Sequence, residues 1–141
     1  MSCVAVVYWS GTGNTEAMAN AVLEGAKSAG ADAKLFTSAD FSASLAGEYD
    51  AIAFGCPAMG AEELEEDEFA PMYENCKESL SGRRVALFGS YGWGDGEWMR
   101  NWEESVKKTG ADLISEGVTA CESPDDEALA ACRELGKALV S

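Results

Sequence analysis

Six consecutive residues, Ser10-Gly11-Thr12-Gly13-Asn14-Thr15, combine two glycines with four neutral oxygen-bearing side chains. Glycine lets the backbone curl so that successive N–H groups face inward as an anion-binding nest. The hydroxyls and the amide add uncharged donors. A helix pattern begins at once, and its free N–H groups and positive dipole end point the same way. Such a loop can hold a phosphate by hydrogen bonds alone. The spacing is not G-x-x-x-x-G-K-[ST], which disfavours a magnesium-bound nucleoside triphosphate. Nor is it G-x-G-x-x-G followed by a ribose-binding acid. The same residues also suit an ordinary glycine-rich turn, and on these residues alone both readings stand.

Two further segments are unusual in composition. In CPAMGAEELEEDE, residues 56–68, Met59-Gly60-Ala61-Glu62 reads as a tight turn with glycine at its first central position. A type II′ turn demands that residue there. Methionine beside such a turn can lie against a flat ligand, or fill the core. The acids of Glu62–Glu68 suit a helix N-terminus electrostatically, and for Glu65–Glu68 a solvated acidic helix start is the preferred reading. In GSYGWGDGEW, residues 89–98, Gly92, Gly94 and Gly96 bracket Trp93. A tryptophan in a glycine loop is a stacking platform for an aromatic ligand, or it folds back onto the core. Trp98 and Trp102, spaced i and i+4, are expected to do the latter.

These segments must be positioned by a scaffold, and its elements are legible. Strand patterns recur at Cys3–Trp9, Ala33–Thr37, Ala51–Gly55, Val85–Gly89 and Leu113–Ala120. Several are nearly continuous apolar runs, as parallel strands covered on both faces require. Helix patterns occupy Thr15–Ala29, Phe69–Leu80, Glu97–Thr109 and Asp125–Val140, with a short one within 38–49. Ser123-Pro124 reads as the N-cap and first position of the last helix. Alternating β and α with right-handed crossovers gives an open, doubly wound parallel sheet with helices on both faces. Ligands of such sheets bind at the carboxyl ends of the strands. The three unusual loops all follow strand ends.

Composition narrows the function. The 141 residues suit one domain spanning 1–141. A formal charge of −15 repels nucleic acids and anionic membranes. It suits instead a partner with a basic surface. With no histidine, there is no Ser–His or Cys–His nucleophile pair and no histidine-held metal. The five cysteines are odd in number and none is spaced C-x-x-C, which favours reduced thiols. The N-terminus has no basic leader pattern, and the run Cys3–Trp9 is far too short to cross a bilayer. A cytoplasmic protein is expected.

Taken together, the Ser10–Thr15 loop in strand–loop–helix context, the Met59-Gly60-Ala61-Glu62 turn and the Ser90-Tyr91-Gly92-Trp93-Gly94 loop resemble flavodoxin over essentially the whole chain. The resemblance is to the short-chain type of anaerobic bacteria, because the fifth strand, around Leu113–Ala120, runs on without an inserted loop. It implies a five-stranded sheet of order 2-1-3-4-5 and non-covalently bound FMN. An uncharged nest then has a reason: it holds one phosphate dianion and adds no positive charge near the ring. Ser10, Thr12, Gly13, Asn14 and Thr15 are implied to bind that phosphate, with Gly11 in the same loop. Met59 is implied to cover one face of the ring, Trp93 to stack on the other, and Glu62 to accept from flavin N3–H. Backbone near Gly92 and Gly94 would meet the pyrimidine end. Pro57, Ala58, Gly60, Ala61, Ser90, Tyr91 and Asp95 complete the implied site. The Gly60–Ala61 peptide would rotate on one-electron reduction. Trp9 lies close by without an assigned role.

The implied function is low-potential one-electron transfer between redox enzymes, mainly between semiquinone and hydroquinone, by a monomer that need not catalyse turnover. Glu62–Glu68 and Asp95 are the candidates for docking on basic partners. An FMN-dependent NAD(P)H oxidoreductase on the same fold would need room that a stacked Trp93 fills. A receiver domain needs an acidic pair after strand one and an aspartate ending strand three, but here stand Trp9-Ser10 and Gly55-Cys56. A C-x-x-x-x-x-R phosphatase loop fails because the sixth residue after Cys56 is Glu62.

Overall fold

A computed structural model of the chain describes residues 3–11, 13–58, 64–92 and 96–140. The elements run β1 (Cys3–Tyr8), α1 (Asn14–Ser28), β2 (Asp32–Thr37), α2 (Ala43–Ala46), β3 (Ala51–Gly55), α3 (Phe69–Cys76), β4 (Arg84–Tyr91), α4 (Glu97–Lys108), β5 (Asp112–Leu113), β6 (Val118–Cys121) and α5 (Asp126–Val140). The sheet is parallel, in the order β2-β1-β3-β4-β5, and β6 also pairs with β4. This is the doubly wound architecture that the alternating pattern predicts.

Side-chain alternation along the central strands sorts the core into two layers. Val4, Val6 and Tyr8 point toward α1 and α5, meeting Met18, Val22, Leu135 and Leu139. Ala5 and Val7 point the other way, toward Phe41, Phe69, Tyr73 and Trp102. On that side the rings of Phe54, Phe69, Tyr73 and Trp102 meet mostly edge to face, the arrangement that ring quadrupoles favour. Trp98 and Trp102 are both buried, as their helical spacing predicts. The register sets Tyr8 beside Gly55 and Gly55 beside Phe88, so β1, β3 and β4 end close together.

Two expectations need correction. The predicted fifth strand, Leu113–Ala120, is broken into β5 and β6. Leu113 pairs with Val85 and Val118 with Phe88, so the edge takes five residue steps where β4 takes three. The excess forms a turn that helix α4 holds. The Glu103 carboxylate accepts the Gly117 N–H, and the Met99 side chain packs where a Cβ on residue 117 would sit. The cap of α5 is also displaced. The Asp125 carboxylate, not Ser123, accepts from Ala128 N–H at 2.8 Å. The Ser123 hydroxyl donates to Asn14 Oδ1 at 3.4 Å instead. An ionised acid at a helix N-terminus meets the dipole as well as the free N–H. No described helix is long and apolar enough to cross a membrane.

Candidate functional site

The phosphate-loop candidate begins where β1 ends. Trp9 N–H donates to the Gly55 carbonyl at 3.0 Å, extending the sheet by one residue. The chain then leaves the sheet, and the Ser10 hydroxyl accepts from Gly13 N–H at 3.0 Å. Gly13 stands at the N-cap of α1 with φ 92, a left-handed value that a Cβ would disfavour. Among the described residues no side chain caps this helix end. Its leading N–H groups are therefore available to an anion.

Thr15 is buried, and its hydroxyl lies 3.1 Å from that of buried Ser90. That contact ties the first loop to the end of β4, and it leaves Thr15 its backbone N–H for an anion. Ala58 N–H donates to the Ser90 carbonyl at 3.0 Å, drawing the segment after β3 to the same place. Glu122 N–H donates to the Tyr91 carbonyl at 2.6 Å, which folds the corner after β6 inward.

These ties frame a cavity of about 400 Å³ at the carboxyl ends of the strands. Gly11 and Asn14 line it, as do Pro57, Ala58, Ser90, Tyr91 and Gly92, together with Trp9 and Glu122. No lysine or arginine is among them. The structure thus gathers one representative group from each of the three predicted loops. Ser10 and Gly13 face a neighbouring cavity of about 300 Å³, and Trp9 lines both. Thr12, Met59–Glu62 and Trp93–Asp95 lie outside the described residues.

Sequence reasoning missed two groups here. Trp9 forms the wall between the cavities, with its ring against Gly11, where a Cβ would approach to 3.1 Å. Its position directly before the loop was the available signal. Glu122 carried no signal, because only the fold of β6 against β4 brings it to the rim.

The acidic segment after the second loop is organised by one residue. The Glu65 carboxylate accepts backbone N–H groups from Asp67, Glu68 and Phe69 at 2.8, 2.7 and 2.8 Å. It satisfies the start of α3, as the preferred reading of that charge run expected, but it does so buried rather than solvated. Burial alone would push this carboxyl up. The hydrogen bonds from Phe69, Glu68 and Asp67 outweigh it and hold it below the ordinary range. Glu65 is only 6% exposed, so it drops out of the docking candidates, while Glu66, Asp67 and Glu68 remain at the surface.

The lowered native value sets the sign of a pH effect. Stability from Glu65 is present above its unfolded value of about 4.3 and is lost as pH falls through the lower native value. Glu65→Gln should cost about 1–2 kcal/mol in urea unfolding at pH 7, since a neutral acceptor replaces a charged one. The deficit should shrink as both proteins are acidified. A deficit that is the same at pH 7 and pH 3 contradicts this assignment.

Comparison with known proteins agrees with the geometry. A family model described as flavodoxin matches residues 6–136. The chain is 46% identical to a flavodoxin of Megasphaera elsdenii over 135 residues, covering 96% of each protein. It is 43% identical to a flavodoxin of Clostridium beijerinckii over 136 residues, 96% of this chain and 98% of that one. The solution structure of two-electron reduced Megasphaera elsdenii flavodoxin superposes with a TM-score of 0.89 at 45% identity, covering 97% and 98% of the two chains.

Proposed function

This chain belongs to the flavodoxin family, whose members carry FMN and transfer electrons, and from that premise we propose that it is a one-electron carrier loaded with FMN. The observation that carries the proposal is the cavity of about 400 Å³ joining the phosphate-loop residues Gly11 and Asn14 to the Pro57-Ala58 and Tyr91-Gly92 walls. The residues present fit FMN. The uncapped N-terminus of α1 and the left-handed Gly13 suit a phosphate dianion. The largely apolar walls suit a flat ring.

In this reading Ser10–Thr15 holds the phosphate, while Pro57, Ala58, Tyr91 and Gly92 border the ring. Met59 and Trp93 take its two faces, Glu62 accepts from N3–H, and backbone at Gly92 and Gly94 meets the pyrimidine end. Ala61, Ser90 and Asp95 complete the site, and Gly60 is the hinge of the redox-linked peptide. Bound FMN supplies the redox chemistry, cycling at low potential between semiquinone and hydroquinone. The protein's own work is to bind the phosphate without cations, exclude water from the ring and keep negative charge nearby, which disfavours a further anionic charge on the flavin.

The placement of charge supports a carrier that docks on basic surfaces. Helix first turns carry Glu16, Glu97, Asp126 and Glu127, whereas last turns carry Lys27, Lys107, Lys108 and Lys137. In a parallel α/β sheet every helix N-terminus lies at the ligand end. The cofactor end of this monomer is therefore its negative pole.

Electron transfer from the reduced holoprotein to a basic haem protein tests the proposal. The rate should fall as salt is raised from about 0.01 to 0.15 M, over which the Debye length contracts from about 30 to 8 Å. NAD(P)H alone should not be consumed. A rate indifferent to salt removes the docking role, and steady NAD(P)H oxidation makes the chain an enzyme.

A further inference from the structure

Cys56 follows β3 directly and is absent from the cavity lining, yet each of its polar atoms is engaged. Its N–H donates to the Phe88 carbonyl at 3.2 Å. Its carbonyl accepts from Trp98 Nε1, also at 3.2 Å. Its thiol donates to the Pro57 carbonyl at 3.5 Å, and Sγ accepts the N–H of Glu65 at 3.4 Å. The side chain is fully buried. Burial, only partly offset by the Glu65 N–H and aided by the Glu65 carboxylate, pushes the thiol up to about 12. It is a neutral packing and hydrogen-bonding group, not a nucleophile.

The partner is equally fixed. Glu65 is buried, and its carboxylate is engaged by the first N–H groups of α3. The Cys56–Glu65 contact therefore joins the end of the sheet to the start of α3. It closes the span 57–64 at its base. Pro57 and Ala58 open that span, and both line the cavity. Close packing leaves this base little room to adjust, because a Cβ on residue 89 would collide with the Cys56 carbonyl oxygen.

We propose that Cys56 and Glu65 are positioning residues for the flavin, holding the Pro57-Ala58 wall at the ring end of the cavity without touching the ligand. The proposal rests on the FMN reading above. A buried backbone N–H must keep an acceptor, so removing the sulfur leaves the Glu65 N–H orphaned and lets the base of the span open. A hydroxyl in place of the thiol restores an acceptor on a shorter bond.

The test is a fluorescence-quenching titration of apoprotein with FMN and with riboflavin, for wild type, Cys56→Ala and Cys56→Ser. Circular dichroism confirms that each is folded at the titration temperature. Cys56→Ala should bind both flavins about tenfold more weakly, by the same factor, because the wall acts at the ring end and not at the phosphate. Cys56→Ser should recover to within about threefold of wild type. If Cys56→Ala fails to fold, Cys56→Val, similar in volume and without an acceptor, takes its place with the same expectation. Wild-type affinity in the Ala or Val variant overturns the proposal, as does a loss confined to FMN. A wild-type protein that binds neither flavin overturns the FMN reading, and this inference with it.

Discussion

Riboflavin is expected to bind this chain about a thousandfold more weakly than FMN. The two ligands differ only by the terminal phosphate, which the proposed reading seats at the start of α1. Helix α1 has Gly13 as its N-cap, with no side-chain cap among the described residues, and the Ser10 hydroxyl stands beside it, engaged with Gly13 N–H. Charge-assisted hydrogen bonds are worth about 1.5–3 kcal/mol each in net terms. Losing two or three of them, allowing for non-additivity, removes about 4 kcal/mol, or a factor of about 10³ in Kd. Without cations in the lining, the discrimination comes from hydrogen bonds and the helix dipole alone. The net charge of −15 repels the FMN dianion but not neutral riboflavin, so the discrimination should grow as salt screens that repulsion, the opposite of a lysine-based phosphate site. Comparable dissociation constants for the two flavins would reduce Ser10–Thr15 to a turn.

Gly136→Ala should destabilise the apoprotein by about 2 kcal/mol or more, although alanine is the better helix former by about 1 kcal/mol. Helices α1 and α5 approach closely through paired glycines. A Cβ on residue 136 would meet the Val22 carbonyl oxygen and the Ala26 nitrogen, and one on residue 25 would meet the Arg133 carbonyl. These are backbone atoms, so no rotamer change relieves the clash. The helices must separate, loosening Met18, Val22, Leu135 and Leu139 against the sheet. Overpacking of this kind costs about 1–3 kcal/mol, and more where backbone must move. Urea unfolding of the apoprotein decides between the two effects, since propensity and packing predict opposite signs. Unchanged or increased stability means the helices have more room than their glycines imply.

The scaffold was legible because buried parallel strands and amphipathic helices write their periods directly into the chain. AIAFG at Ala51–Gly55 is buried at every position, and its sequence admits no other placement in an alternating α/β pattern. The strand–loop–helix junction at Ser10–Thr15 was legible for a similar reason, since glycine and hydroxyl residues between an apolar run and a helix pattern are local chemistry. What escaped depends on tertiary contact. The break in the fifth strand is set by Glu103 and Met99 of α4, which sequence cannot place beside Gly117. Asp125 displaced Ser123 as a cap because Ser123 turns toward Asn14, far away in sequence. Glu65 looked like its exposed neighbours, and only the fold picks it out as the buried acceptor of three N–H groups. Trp9 and Glu122 joined the site through the packing of β1, β4 and β6.

The most direct measurement is a stepwise reduction of the FMN-reconstituted protein followed by visible spectroscopy. A yellow protein should pass through a blue, neutral one-electron form before it bleaches, with separate potentials for the two steps. Apoprotein that takes up no FMN, or a bound flavin that bleaches in a single two-electron step, would contradict the one-electron carrier.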